Sequence, residues 1–220
     1  MNKRNLVVTI LLACMLVGTV AFAETGSFRF GAGLVGFTYS EDTDLRALGY
    51  ELTGRAWFAQ LPQLTLNFSY SDLNWKHKDY DTKLGTINDI AVVAEYRLYN
   101  ETKYGFSANT GWISRGFTSN VSNVEKEAVN YLTLGGKGNY VLADGLQAIA
   151  GVSYNFNNLF KEEDEKEIAF ISTKVGAEYD FPQLSGLKTS AYFFYEKPTD
   201  DSSEGALYGF NLGASYAVNF

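Results

Sequence analysis

Cysteine occurs once in this 220-residue sequence, at Cys14, histidine once, at His77, and proline only three times. A lone cysteine excludes an internal disulfide framework. Basic residues are outnumbered, 18 Lys and Arg against 25 Asp and Glu, for a formal charge of −7. Phosphate binding needs a basic footprint, so nucleic acid is not an expected partner. Beyond residue 23 no apolar run is long enough to cross a bilayer as a helix. If such a chain enters a membrane it must cross as strands, and its backbone groups are then satisfied only in a closed barrel.

What is present begins with an export pattern. Lys3 and Arg4 form a basic head, residues 6–20 are almost wholly apolar, and Ala21-Phe22-Ala23 is a small-x-small site before Glu24. Residues 1–23 are therefore expected to be a cleaved signal peptide, and 24–220 a single domain. Cys14 offers lipidation as an alternative, but Met15 to Phe22 stay apolar where a lipidated chain turns polar. Cleavage removes Lys3, Arg4 and no acid, taking the charge from −7 to −9, and leaves no cysteine.

Downstream, apolar and polar residues alternate with the strand period of two. Ten segments carry the pattern: 27–39, 48–60, 64–71, 87–98, 104–114, 129–142, 146–156, 168–181, 187–196 and 208–220. The third is the cleanest, with Leu64, Leu66, Phe68 and Tyr70 against Thr65, Asn67, Ser69 and Ser71. In the first, the phase becomes ambiguous after Gly36, where Phe37 and Tyr39 fall on the polar side. Connections alternate in length: 61–63, 99–103, 143–145 and 182–186 are tight, whereas 40–47, 72–86, 115–128, 157–167 and 197–205 are longer and polar. Short periplasmic turns and long outer loops have this asymmetry. Aromatic residues near both strand ends, such as Tyr50, Tyr70 and Tyr154 at one and Tyr96, Tyr104 and Tyr140 at the other, suit the two headgroup interfaces. The expected fold is an all-β, transmembrane, antiparallel up-and-down barrel of ten strands, with eight the alternative.

The last strand is the most specific element. Leu212, Ala214, Tyr216, Val218 and Phe220 share one face, Gly213, Ser215, Ala217 and Asn219 the other, and the chain stops at an aromatic residue. This resembles the terminal strand of small bacterial outer-membrane β-barrels, of the OmpA, OmpX, OmpW or porin-like kind. The resemblance covers the whole processed chain without selecting a subfamily. It implies a Gram-negative outer membrane, contact with lipid and lipopolysaccharide, and Leu212, Tyr216, Val218 and Phe220 as the tag read by the barrel-assembly machinery. Oligomeric state is left open.

With the apolar face outward, the lumen receives Arg29, Arg55, Arg97, Lys137, Lys174 and Lys188 together with Glu51, Asp89, Glu95, Glu178, Asp180 and Glu196. A narrow barrel has room only for its own side chains, and each enclosed charge needs a partner. A cross-linked plug is the plain expectation, a thin gated ion path the sharper one.

The long second loop holds His77 between Asp72 and Asp79, a spacing that suits water activation, but it lacks the Asp-x-His order of omptin-type proteases. A loop histidine is more often a solvated polar residue, so no catalytic residue is expected. Acidic clusters at Glu41-Asp42, 162–165 and Asp200-Asp201 suit divalent cations that bridge to lipopolysaccharide phosphates, yet no fixed metal-ligand spacing is present. No cofactor is expected. The functional expectation is a non-enzymatic surface, structural or adhesion barrel. A narrow channel is the alternative, and a rim hydrolase or acyltransferase using His77 a distant third.

Overall fold

The computed structural model describes residues 26–40, 45–77, 83–119, 127–157, 168–199 and 205–219. Ten strands follow in chain order: β1 (Gly26–Tyr39), β2 (Leu45–Phe58), β3 (Leu61–His77), β4 (Lys83–Asn100), β5 (Tyr104–Ser119), β6 (Glu127–Ala143), β7 (Leu146–Phe156), β8 (Ala169–Asp180), β9 (Leu187–Pro198) and β10 (Leu207–Asn219). Each pairs antiparallel with its sequence neighbours, and β1 closes on β10, so the sheet has no edge. The strands run from 11 residues in β7 to 18 in β4, at or above the roughly 9 to 11 that span a bilayer.

Alternation decides which face each residue takes. Across the closing seam Phe30 meets Tyr216, Ala32 meets Ala214 and Leu34 meets Leu212, all outward. Leu134, Val175, Phe193 and Leu212 are likewise exposed, Phe193 to 70%. Soluble monomers rarely expose an apolar band of this extent, whereas lipid is its natural solvent.

The tight turns gather at one end. Gly145 (φ 74°) and Gly186 (φ 92°) supply the left-handed backbone that other residues avoid. Their carbonyls accept hydrogen bonds from Asp180 (2.8 Å) and Ala217 (2.9 Å), which ties each turn to the next strand.

Several boundaries differ from the sequence expectation, among them the loop expected at 72–86, much of which is the end of β3 and the start of β4. The first turn sits at Ala59-Gln60, with Pro62 inside the start of β3, beside a register shift at Trp57/Phe58. Proline is tolerated at a strand start because the ladder does not yet need its donor. The first strand keeps its phase: Phe37 pairs with Ala47 and Gly209 without a slip and stays on the lumen side. The fifth strand continues past Ser114 to Ser119, bringing Arg115 and Phe117 into the wall.

Candidate functional site in the barrel lumen

Two chemistries share the lumen. Toward the long-loop end, Val35, Ala47 and Leu73 are buried together, Leu73 to 2% exposure, and Phe37, Trp75 and Phe194 pack on them. Phe194 belongs to β9 and Leu73 to β3, four strands apart in the ring, so this cluster reaches across the barrel. Trp75 stacks near Phe117 (centroids 5.4 Å), and Tyr131 meets Phe170 edge-on (5.1 Å). Gly85 makes the room for Trp75, because a Cβ there would stand 2.1 Å from the indole nitrogen. This end of the lumen is an aromatic and aliphatic stopper.

Below it stands an ionic clamp. Arg115 pairs in register with Asp89, donating from Nε (3.0 Å) and Nη2 (2.8 Å), while Nη1 donates to Glu196 at 2.8 Å. Glu196 lies on β9, four strands from Arg115, so the clamp also crosses the lumen. Ser172 donates to Glu196 (3.2 Å), Asn155 donates to Ser172 (3.2 Å), and the Phe170 ring lies 5.4 Å from the guanidinium. Bidentate, charge-assisted bonds of this kind are the strong ones.

The remaining charges surround a cavity of about 290 Å³ on the short-turn side. Lys137 binds Glu95 at 2.7 Å, and Ser107 also donates to that carboxylate (3.0 Å). Lys188 binds Glu178 at 2.6 Å and Asp180 at 3.1 Å. Glu178 further accepts from Gln147 (2.9 Å) and from the Tyr192 hydroxyl, and Glu51 from Asn211. Arg55 donates from Nε to Asn67 at 2.7 Å, and the Lys174 ammonium sits 3.6 Å from the centre of the Tyr192 ring.

Of the residues expected inside, Arg29, Glu51, Arg55, Glu95, Lys137, Lys174, Glu178 and Lys188 line this one cavity. Asp89 and Glu196 belong to the clamp, and Asp180 reaches Lys188 from the cavity's edge. Arg97 does not join them; it is exposed near the turn end of β4, beside a register shift. The residue the sequence reading left in a loop is Arg115, the hub of the clamp. Its strand keeps the same faces beyond Gly111, but Ile113 and Phe117 now share the inner one with Arg115 while Ser114 lies on the outer, so polarity no longer marks the lumen face.

Leu212, Tyr216 and Val218 lie on the outward face of β10, against Leu34, Phe30 and Phe28. Phe220 lies outside the described residues, as do the export segment and the acidic clusters at 41–42, 162–165 and 200–201. His77 is the last residue of β3, paired in register with Leu45; Asp79 lies outside the described residues, and Asp72 accepts from the Tyr50 hydroxyl at 3.4 Å. Among the described residues, no three His, Cys, Asp or Glu side chains gather closely enough to hold a metal.

No family model matches this chain, and no curated protein matches its sequence. Solved structures do. The β domain of the Bordetella autotransporter BrkA superposes with a TM-score of 0.51 at 9% identity, covering 88% of this chain and 99% of that one. The outer membrane protease OmpT of Escherichia coli gives 0.45 at 11% identity, over 89% and 97%. Ail, the attachment invasion locus protein of Yersinia pestis, gives 0.37 at 13%, over 88% and 98%. Identities this low speak of fold alone. The chain has the fold of the bacterial outer-membrane β-barrels.

Proposed function

We infer that this protein is a non-enzymatic barrel of the bacterial outer membrane, sealed along its axis and serving a surface, structural or adhesive role through its outer loops. The observation that carries the reading is the double closure of the lumen, by the stopper around Leu73 and Phe194 and by the Arg115 clamp. An ion would have to pass an apolar constriction and then part a bidentate ion pair, and each step is costly. The basic head and apolar run before residue 24 support export, and the exposed apolar band supports residence in lipid. Acidic segments such as 162–165 suit divalent cations bridging to lipopolysaccharide phosphates. Strand β10, with Leu212, Tyr216 and Val218 turned outward, suits recognition by the barrel-assembly machinery.

A narrow channel draws support from the charged cavity, and the apolar cluster around Leu73 weighs against a continuous wet path. In planar bilayers the wild-type protein is expected to be electrically silent. Reproducible conductance steps would make it a channel and end the sealed-barrel reading. For the rim, wild type and His77→Ala are expected to show the same background turnover of lipid and peptide substrates. Turnover by the wild type that His77→Ala abolishes would make it an enzyme.

A further inference from the structure

The charges around the cavity do not cancel locally. Its lining holds five cations, Arg29, Arg55, Lys137, Lys174 and Lys188, against three carboxylates, Glu51, Glu95 and Glu178. Asp180 contributes from the edge, through Lys188 and a long 3.5 Å contact with Arg29. The carboxylates are already engaged: Glu95 by Lys137 and Ser107, Glu178 by Lys188, Gln147 and Tyr192, and Glu51 by Asn211. Among the described residues, neither Arg55 nor Lys174 makes an ion pair.

Two of the five cations stand side by side. Arg29 and Arg55 are direct cross-strand partners on β1 and β2, a like-charge pairing that costs stability unless something negative lies between the heads. Both guanidiniums stand beside the Trp57 ring, at 6.0 and 5.8 Å, which orients them without neutralising them. Among the described residues, Arg29 Nε and Nη1 are buried without a hydrogen-bond partner, and Arg55 donates from Nε to Asn67 alone. Buried donors without acceptors are costly, and paired guanidinium forks suit an oxyanion.

We propose that the short-turn side of the lumen binds a small oxyanion, phosphate or carboxylate in type, between Arg29 and Arg55, with Lys174 supplying a further positive charge from the β8 wall. The stopper lies on the outer side, so the anion enters from the periplasm. A cavity of about 290 Å³ has room for a phosphate-sized group and some of its water.

The test is calorimetric titration of the refolded full barrel in phosphatidylcholine vesicles with sodium phosphate, and separately with succinate, against sodium chloride at equal ionic strength. Saturable binding of one oxyanion per barrel is expected. Arg29→Gln and Arg55→Gln should each weaken it by about tenfold or more, the scale of one charge-assisted hydrogen bond. Glu51→Gln removes a negative charge from the lining and should tighten binding by about threefold or more at effective dielectrics typical of such sites. Heat-modifiable electrophoretic mobility establishes that each variant is folded. If an arginine variant does not fold, Glu51→Gln decides: tighter binding supports the site, and unchanged binding overturns it. The proposal also fails if neither oxyanion saturates, if the folded arginine variants bind like wild type, or if binding appears only after anionic lipid is added to the vesicles.

Discussion

Replacing Arg115 with alanine is expected to destabilise the barrel by about 3 to 5 kcal/mol, the cost of removing one partner from a buried ion pair. The loss falls on two carboxylates at once, Asp89 and Glu196, whose side chains are 25% and 17% exposed. Such partial wetting places the effect at the lower end of that range, because lumen water can screen the orphaned acids. Urea unfolding in lipid vesicles, followed by tryptophan fluorescence, would show the midpoint fall with the slope unchanged. Adding Asp89→Asn and Glu196→Gln to Arg115→Ala should recover much of the loss, since no uncompensated charge is then left. A loss below about 1 kcal/mol for Arg115→Ala would mean that the clamp contributes no more than an exposed ion pair does.

Leu134→Arg should cost about 2 to 4 kcal/mol, the depth-dependent penalty for a cation on the lipid face near the bilayer midplane. Leu134 sits centrally in β6, opposite Thr110 and Tyr154, with 47% of its surface outside the protein. If position 134 lies near the midplane, an arginine there has neither water nor a carboxylate to meet. The fraction of heat-modifiable, protease-resistant barrel in membranes should fall sharply for Leu134→Arg, and little for Leu134→Ala, which leaves the face apolar. Normal assembly of Leu134→Arg would mean that this face does not look into hydrocarbon.

Both expectations rest on the same wall, yet they were unequally visible beforehand. The outward position of Leu134 follows from alternation within one strand, where Leu132 and Leu134 flank Thr133 and each successive side chain changes face. Arg115 is different, because polarity stops reporting direction once the lumen itself becomes apolar. In β1 the same change makes Phe37 look out of phase, although its pairing with Ala47 and Gly209 never slips. The sequence rule "apolar means outside" holds where the lumen is charged and fails where Phe37, Trp75, Phe117 and Phe194 fill it.

Strand number, the lipid-facing side of most segments and the inward direction of most lumen charges are local properties, legible from alternation because a strand carries its two faces in its own residue order. The partners of those charges are not local. Arg115 reaches Glu196 across four strands only because closure and stagger bring β5 and β9 to face each other, whereas Arg29 meets Arg55 through the register of the neighbouring β1 and β2. No period along the chain encodes which side chains meet across an enclosed space. That pairing across the lumen came from closing the ring.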